Sequence, residues 1–370
     1  MRPASALRSI AALTCFAALA LSASCTSRPP EPWKAVQVLT DADFTGIWFT
    51  DSLHGWVTGG GWAIEGGIIG RTRDGGRSWS FDSGVIPGGG LRSGFGRVQF
   101  LDSLRGRATS NDAGVLLTDD GGLNWRLAAG PGGSGLFDLR FIDRTRGWAA
   151  GTILARTEDG GETWTTLTTS TGDRGFALTN AVCFTSETRG WAVGHSGELR
   201  RTDDGGASWT NVALPLPPGE RPILRDVFFR GPRFGWIVGE QGTIFRTRDG
   251  GEAWTLQVTG VPIVRTIPRG EAPRPREVAP ELETPPDRLE LTAVRFADPD
   301  QGWAVGSYSD VAESVVLHTT DGGASWQVEH VQPGEMLRTL FVLDADHVWA
   351  AGDRARNAPQ VILCRTSRVP

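Results

Sequence analysis

Seven times along this chain a pair of apolar residues two positions apart marks a strand. The pairs are Ile47/Phe49, Val98/Phe100, Leu139/Phe141, Val182/Phe184, Val227/Phe229, Val294/Phe296 and Leu340/Val342. A period of two puts both side chains of a pair on one face of a β-strand. In six registers a Trp lies seven residues further on and opens a second strand: Trp56, Trp148, Trp191, Trp236, Trp303 and Trp349. In the second register Arg107 stands in that place. A third strand, such as Ile244-Phe-Arg-Thr247, runs into a turn, and a fourth begins at a Trp beyond it.

The turn between third and fourth strands has a fixed spelling: Thr, any residue, Asp-Gly-Gly, two residues, Trp. It occurs from Thr72, Thr118, Thr157, Thr202, Thr247 and Thr319, with its acid at Asp74, Asp120, Asp159, Asp204, Asp249 and Asp321. Most steps between copies are 39 to 46 residues, the length of one four-stranded propeller blade. The Asp carboxylate is expected to accept from backbone N–H groups two or three residues on, the glycines to supply positive φ, and the Trp to pack under the turn. This spelling is the Asp-box of the bacterial neuraminidase repeats. Six equivalent hairpins on separate blades cannot converge on one substrate, so these carboxylates read as structural, with no metal bound. They lack the neighbouring acids of a calcium loop. Asp119 and Asp203 read as exposed strand ends.

The seventh register has no complete box. Thr366 stands where one should start and Arg368 where its Asp should be. The missing strand is found at the other end of the chain, where Trp33 is followed by Lys-Ala-Val-Gln-Val. The expected fold is therefore all-β: a seven-bladed β-propeller of four-stranded antiparallel blades over 33–370, its last blade closed by N- and C-terminal strands. Closure removes the exposed sheet edges. Of 15 Trp residues, only Trp48 and Trp62 fall outside the registers; the register Trp read as core rather than a sugar-stacking platform, and Trp62 stays open.

Composition adds little to that picture. The 50 glycines follow from the turns, and 39% hydrophobic content suffices for a sheet core. The formal charge is −5, with no basic run and no aromatic-basic stripe, so nucleic acid is not an expected partner. Residues 1–24 read as a signal peptide: Arg2 and Arg8 precede an apolar run from Ile10 to Leu21. Ser22-Ala23-Ser24-Cys25 resembles a lipoprotein processing site, with Cys25 lipidated and 25–32 a tether. Export to the cell envelope follows, with simple secretion or a periplasmic location as the alternative. Cys183 and Cys364 fall on different blades and are expected to be buried, unpaired thiols. The five His show no metal spacing, and no cofactor is implied.

In a propeller the first strand of each blade lines the central channel. The box hairpins lie on one face and the connections between blades on the other. Those connections vary most here, and the largest is a proline-rich insertion over 260–288. Arginines gather on that face: Arg92, Arg97, Arg174, Arg221, Arg225 and Arg338, with more in the insertion. Arg225 and Arg338 share one register, four residues before the Phe or Val, which places them at the channel mouth. As a group they suit carboxylates or an acidic or extended peptide.

The registers Val182-Cys-Phe184, Gly190-Trp191-Ala-Val-Gly194 and Arg201-Thr202-Asp-Asp-Gly-Gly-Ala-Ser-Trp209 resemble the photosystem II stability and assembly factor family. That resemblance covers nearly the whole chain beyond the leader. It implies a seven-bladed propeller that binds membrane-protein subunits through an arginine-rich surface, without catalysis. The expectation is a monomeric, membrane-anchored envelope protein that binds another protein. The alternative is a sialidase-like glycoside hydrolase, since sialidases share the Asp-box. That reading needs a Tyr nucleophile polarised by a Glu. Tyr308, the only Tyr, is placed on a loop of the sixth blade with Glu313 nearby in sequence.

Overall fold

The computed structural model describes residues 32–61, 64–83, 94–110, 114–129, 135–169, 178–257, 289–308, 313–354 and 360–366. The leader with Cys25, and Trp62, Arg92, Arg174 and the insertion over 260–288, lie outside them.

Seven four-stranded antiparallel sheets form the seven expected blades. Their first strands are Asp43–Phe49, Phe95–Phe100, Leu136–Phe141, Thr179–Phe184, Leu224–Arg230, Leu289–Phe296 and Glu335–Val342. Each of these packs against the first strand of the next blade, and the seventh packs against the first, so the ring is closed. The fourth strand of blade 7 is Trp33–Val38. It pairs antiparallel with Gln360–Thr366, from Trp33 opposite Arg365 to Val38 opposite Gln360.

The Asp-box works as a hub around its Thr. In all six copies the Thr hydroxyl donates to the Asp carboxylate at 2.7–2.8 Å. The same oxygen accepts from the N–H of the second Gly at 2.8–3.0 Å. The carboxylate reaches one residue further than the sequence suggested, accepting from the N–H four residues on, as Ser208 does for Asp204. The hydroxyl and N–H of Ser208, with the Thr202 hydroxyl, hold the Asp204 carboxyl down at about 2. Both box glycines have positive φ. At Gly251 a Cβ would also stand 2.5 Å from the indole nitrogen of Trp191 in the neighbouring blade, so a side chain is excluded twice over.

That close approach reflects a role the sequence did not show: the box ties one blade to the next. Trp56, Trp148, Trp236 and Trp349 donate their indole N–H to the first box Gly carbonyl of the following blade, Gly121, Gly205, Gly322 and Gly75, at 2.8–2.9 Å. The same indoles, and Trp191, stack face to face on the next blade's register Phe, with centroids 3.5–4.0 Å apart. The box Trp meets that Phe edge-on at 5.8–6.1 Å. Phe49, Phe100, Phe184, Phe229 and Phe296 are thus each held between two indoles in favoured aromatic geometries, and Phe141, which follows the Arg107 register, meets only its box Trp164. Arg107 replaces the missing Trp of blade 2 in kind: its Nε donates to the Gly160 carbonyl of blade 3.

Between blades 6 and 7, where no box exists, Glu329 takes its place. Its carboxylate accepts from the indoles of Trp33 at 2.8 Å and Trp303 at 2.9 Å, and from Arg365 at 3.2 Å. Trp33 therefore fills the position of a seventh box Trp, and the closing strand is pinned by side chains as well as backbone.

Glu335, at the start of blade 7's first strand, is buried. One carboxylate oxygen accepts from Val361 N–H at 2.6 Å and the other has no partner. Burial pushes its pKa up to about 8. The folded protein therefore keeps this proton at pH values where the unfolded chain releases it. Stability from this group is complete below about pH 4.5 and is lost as pH rises toward 8. The steepest slope is about 1.4 kcal/mol per pH unit. Urea denaturation at several pH values is expected to show this fall, and Glu335→Gln is expected to remove it.

Candidate functional site

The first strand of every blade breaks its register with the second strand near its mouth end. The irregularity falls between Phe44 and Gly46, Phe95 and Val98, Leu136 and Asp138, Thr179 and Ala181, Leu224 and Asp226, Leu291 and Ala293, and Leu337 and Thr339. A β-bulge re-aims the extra side chain. Here the bulged residues Thr45, Gly96, Phe137, Asn180, Arg225, Thr292 and Arg338 line a common basin of about 470 Å³ at the channel mouth. Antiparallel alternation puts the starts of first strands on the face away from the Asp-boxes, so this is the connection face expected from the sequence.

The bulged side chains have different duties. Thr45 donates to Phe95 O at 2.7 Å, Asn180 to Leu224 O at 2.8 Å and Thr292 to Leu337 O at 2.7 Å. These three therefore bind the next blade's backbone. Phe137 keeps 36% of its surface exposed and Leu178, just before blade 4, keeps 37%. Together with Leu136 they give the basin one apolar wall.

Arg225 and Arg338 do line the mouth, as their register implied, but neither is a free cation. Arg225 lies 3.4 Å from Glu240 and 2.6 Å from Glu290. Arg338 donates to Asp353 at 2.8 Å. Arg97 is not on a loop of that face. It rises from blade 2 at the floor of the basin and donates to Thr339 Oγ1 at 3.1 Å. Arg221 is exposed at the edge of a separate hollow of about 320 Å³ beside His195 and Asn211. Among the described residues Arg97, Arg225 and Arg338 share the basin, and Arg221 stands apart from them.

Below the floor a chain of opposite charges crosses the channel. Arg97 is 4.0 Å from Asp138, Asp138 is 3.6 Å from Arg140, and Arg140 is 3.9 Å from Asp226, which pairs with Arg295. Each acid also binds backbone of another blade: Asp138 accepts from Val182 N–H, and Asp226 from Val294 N–H, both at 3.0 Å. Burial brings the Arg295 pKa down to about 10 even beside Asp226. For Arg140 burial is outweighed by Asp138 and Asp226, which hold its pKa above the ordinary value. The alternation Asp138-Leu-Arg140 on a channel-lining strand is the signal that the sequence holds for this network.

Cys183 borders the channel and Cys364 is buried in blade 7; both are free thiols, pushed up by burial to about 11 and about 12. Tyr308 is not on a loop. It ends the strand Gly302–Tyr308 and is only 3% exposed in the hydrophobic core of blade 6, so it is not the accessible Tyr that the sialidase-like reading requires. Among the described residues no three His, Cys, Asp or Glu side chains gather to hold a metal ion.

The family model for the photosynthesis system II assembly factor YCF48 matches residues 123–224, from the box of blade 2 to the start of blade 5. The chain resembles the photosystem II assembly factor family. Two solved structures of that family agree over most of both chains. YCF48 bound to D1 peptide is 18% identical with a TM-score of 0.65, covering 91% of this chain and 96% of its own. YCF48 from Cyanidioschyzon merolae is 17% identical with a TM-score of 0.64, covering 90% and 98%. The GH74 xyloglucanase from Xanthomonas campestris is more distant, at 14% identity and a TM-score of 0.54, covering 89% of this chain and 62% of its own. At these identities each structural likeness shows the propeller fold alone. No curated protein sequence matches the chain.

Proposed function

We propose that this protein is a non-enzymatic binding protein of the cell envelope, anchored to the membrane through Cys25, which holds a segment of a membrane protein at the channel mouth during assembly. The observation that carries this reading is the mouth itself: a basin of about 470 Å³ with an apolar wall and arginines, set by bulges in the first strands. Rigid scaffolds commonly carry function on such an end. The family resemblance supports a protein partner, and one solved relative holds a peptide. An anchor eight residues before Trp33 would keep the ring close to membrane proteins.

Site-directed photo-crosslinking in membranes tests this. A photoreactive residue at Leu178, on the mouth, is expected to capture a membrane protein. The same residue at Leu53, exposed on the box face, is expected to capture none. Capture from Leu53 alone, or turnover of a sialoside or aryl glycoside by the purified protein, would overturn the reading.

A further inference from the structure

We propose that the box-face end of blade 5 is a docking surface for anionic phospholipid headgroups, and that Arg230, Arg233, Arg246 and Arg248 turn this face of the ring toward the membrane. This rests on the anchored binding protein proposed above. The four arginines arise where blade 5 departs from the other blades. In five blades the turn from first to second strand is tied by an acid, Asp51, Asp102, Asp143, Asp298 or Asp344, which accepts N–H groups of its own turn. Ser186 does so in blade 4. Blade 5 has Gly231 there, which makes the turn with φ at 71° and brings no charge, and the exposed Arg230 and Arg233 stand on either side of it. That turn is seated on the blade's own box, where Gly250 N–H donates to Arg233 O at 2.8 Å.

The residue before the box Thr is Arg in four blades. Arg71 donates to Asp82, Arg156 pairs with Glu158, and Arg201 pairs with Asp203 and with Glu252 of the next blade. Arg246 instead finds Arg248 where blades 3 and 4 have Glu158 and Asp203, and Ala324 where blade 5 offers Glu252.

Arg246 is therefore a cation only 7% exposed that has neither ion pair nor hydrogen bond among the described residues, with its Nε buried and unpartnered. A Cβ on Gly322 would stand 2.6 Å from its Nη2, so the guanidinium lies in the seam between blades 5 and 6. Burial and Arg248 bring its pKa down, against Asp321 and Asp300 across the seam. Asp321 is held by its own box, which leaves Asp300 as the opposing acid. Arg230, Arg233 and Arg248 likewise have no carboxylate within 4.0 Å among the described residues, and Arg233 rests on the Phe234 ring. Guanidinium groups with unmet N–H donors suit phosphate oxygens.

A lipid surface is favoured over an acidic protein by where the chain enters the ring. Trp33 fills the place of a box Trp, so the tether from Cys25 meets the ring on this same face. Its eight residues span about 28 Å at most. The face with the cluster is thus the one drawn to the bilayer, and the mouth points away from it, toward segments that emerge from the membrane. The chain as a whole carries −5, so the attraction is local and acts within about 10 Å.

Co-sedimentation of the closed ring, residues 32–370, with vesicles of phosphatidylcholine alone or mixed with phosphatidylglycerol tests the proposal. Without leader or lipid, the ring is expected to bind the mixed vesicles only, and to be released by salt at about 0.5 M. Arg246→Gln and Arg248→Gln are each expected to weaken the partition about fivefold, one charge near an anionic surface being worth that factor. Arg221→Gln, away from this face, is expected to leave it unchanged. Thermal melting checks folding, and the exposed Arg248 keeps the test open where the Arg246 variant fails to fold. No binding to the mixed vesicles, equal binding to neutral ones, undiminished binding by folded Arg248→Gln, or capture of soluble polyglutamate in place of vesicles would each overturn the proposal. Any of these beside crosslinks from Leu178 removes only the lipid-facing surface, whereas vesicle binding without those crosslinks removes only the mouth reading.

Discussion

Deleting Trp33–Leu39 is expected to lower the melting temperature by roughly 10 °C or more, or to abolish the cooperative transition. The segment supplies the outer strand of blade 7 and all of its pairing with Gln360–Arg365. Its loss exposes an open sheet edge. It also removes the buried Trp33 indole, worth about 1.5–3 kcal/mol by burial alone, and one donor to Glu329. A net stability of about 5–15 kcal/mol leaves little margin for such a loss. Circular dichroism melts of the truncated and full rings measure it, and a truncated ring melting within about 2 °C of the parent would show that closure does not depend on this strand.

Asp226→Ala should cost about 3–5 kcal/mol, because it strands a buried charge. Asp226 is fully buried, pairs with Arg295, lies 3.9 Å from Arg140 and accepts the N–H of Val294 from blade 6. Without it Arg295 keeps its charge in a site that already brings its pKa down to about 10. The double change Asp226→Ala with Arg295→Met is expected to recover part of the loss, since an apolar pair of similar volume leaves no uncompensated charge. Urea titrations of the two variants beside wild type decide it: an Asp226→Ala variant within about 1 kcal/mol of wild type means the channel charges are solvated rather than buried.

The ring was legible because its signals are local and repeated. Phe184, Trp191 and Trp209 each sit at a fixed offset from a turn, and the offset alone assigns their strands. Even the unusual closure could be read, since Trp33 bears the mark of a box Trp without a box. What escaped was whatever depends on neighbouring blades. The Trp148 indole reaches Gly205, 57 residues away, and no spacing rule within one repeat reveals that contact. Likewise Glu329 and Arg107 substitute for missing partners through space, not through resemblance.

The mouth was legible only as a register. Arg225 and Arg338 were placed correctly, yet their charge is answered by Glu240, Glu290 and Asp353 from other strands or turns. Arg97 differs from them by one position along the strand, which at a bulge decides between rim and floor. A bulge has no distinctive spelling here: the residues it re-aims are Thr, Gly, Phe, Asn and Arg. Tyr308 was misplaced for a related reason, since the strand that holds it continues two residues beyond the Gly that ends the matching strand in blade 4.

The closing strand also sets an order in time. Blades 1 to 6 are built from hairpins between consecutive strands, contacts that form quickly once their residues are available. Blade 7 must wait, because Trp33–Val38 is made long before Gln360–Thr366, with which it pairs. Trp33 meets Glu329 only across a span of 296 residues. A growing chain therefore carries the strand Trp33–Val38 unsatisfied until the ribosome has released residues 360–366, and the docking of Trp33–Val38 closes the ring. A nascent chain halted before Val361 can hold folded blades yet has no ring, so closure of the ring itself reports that the last strand of blade 7 has been made.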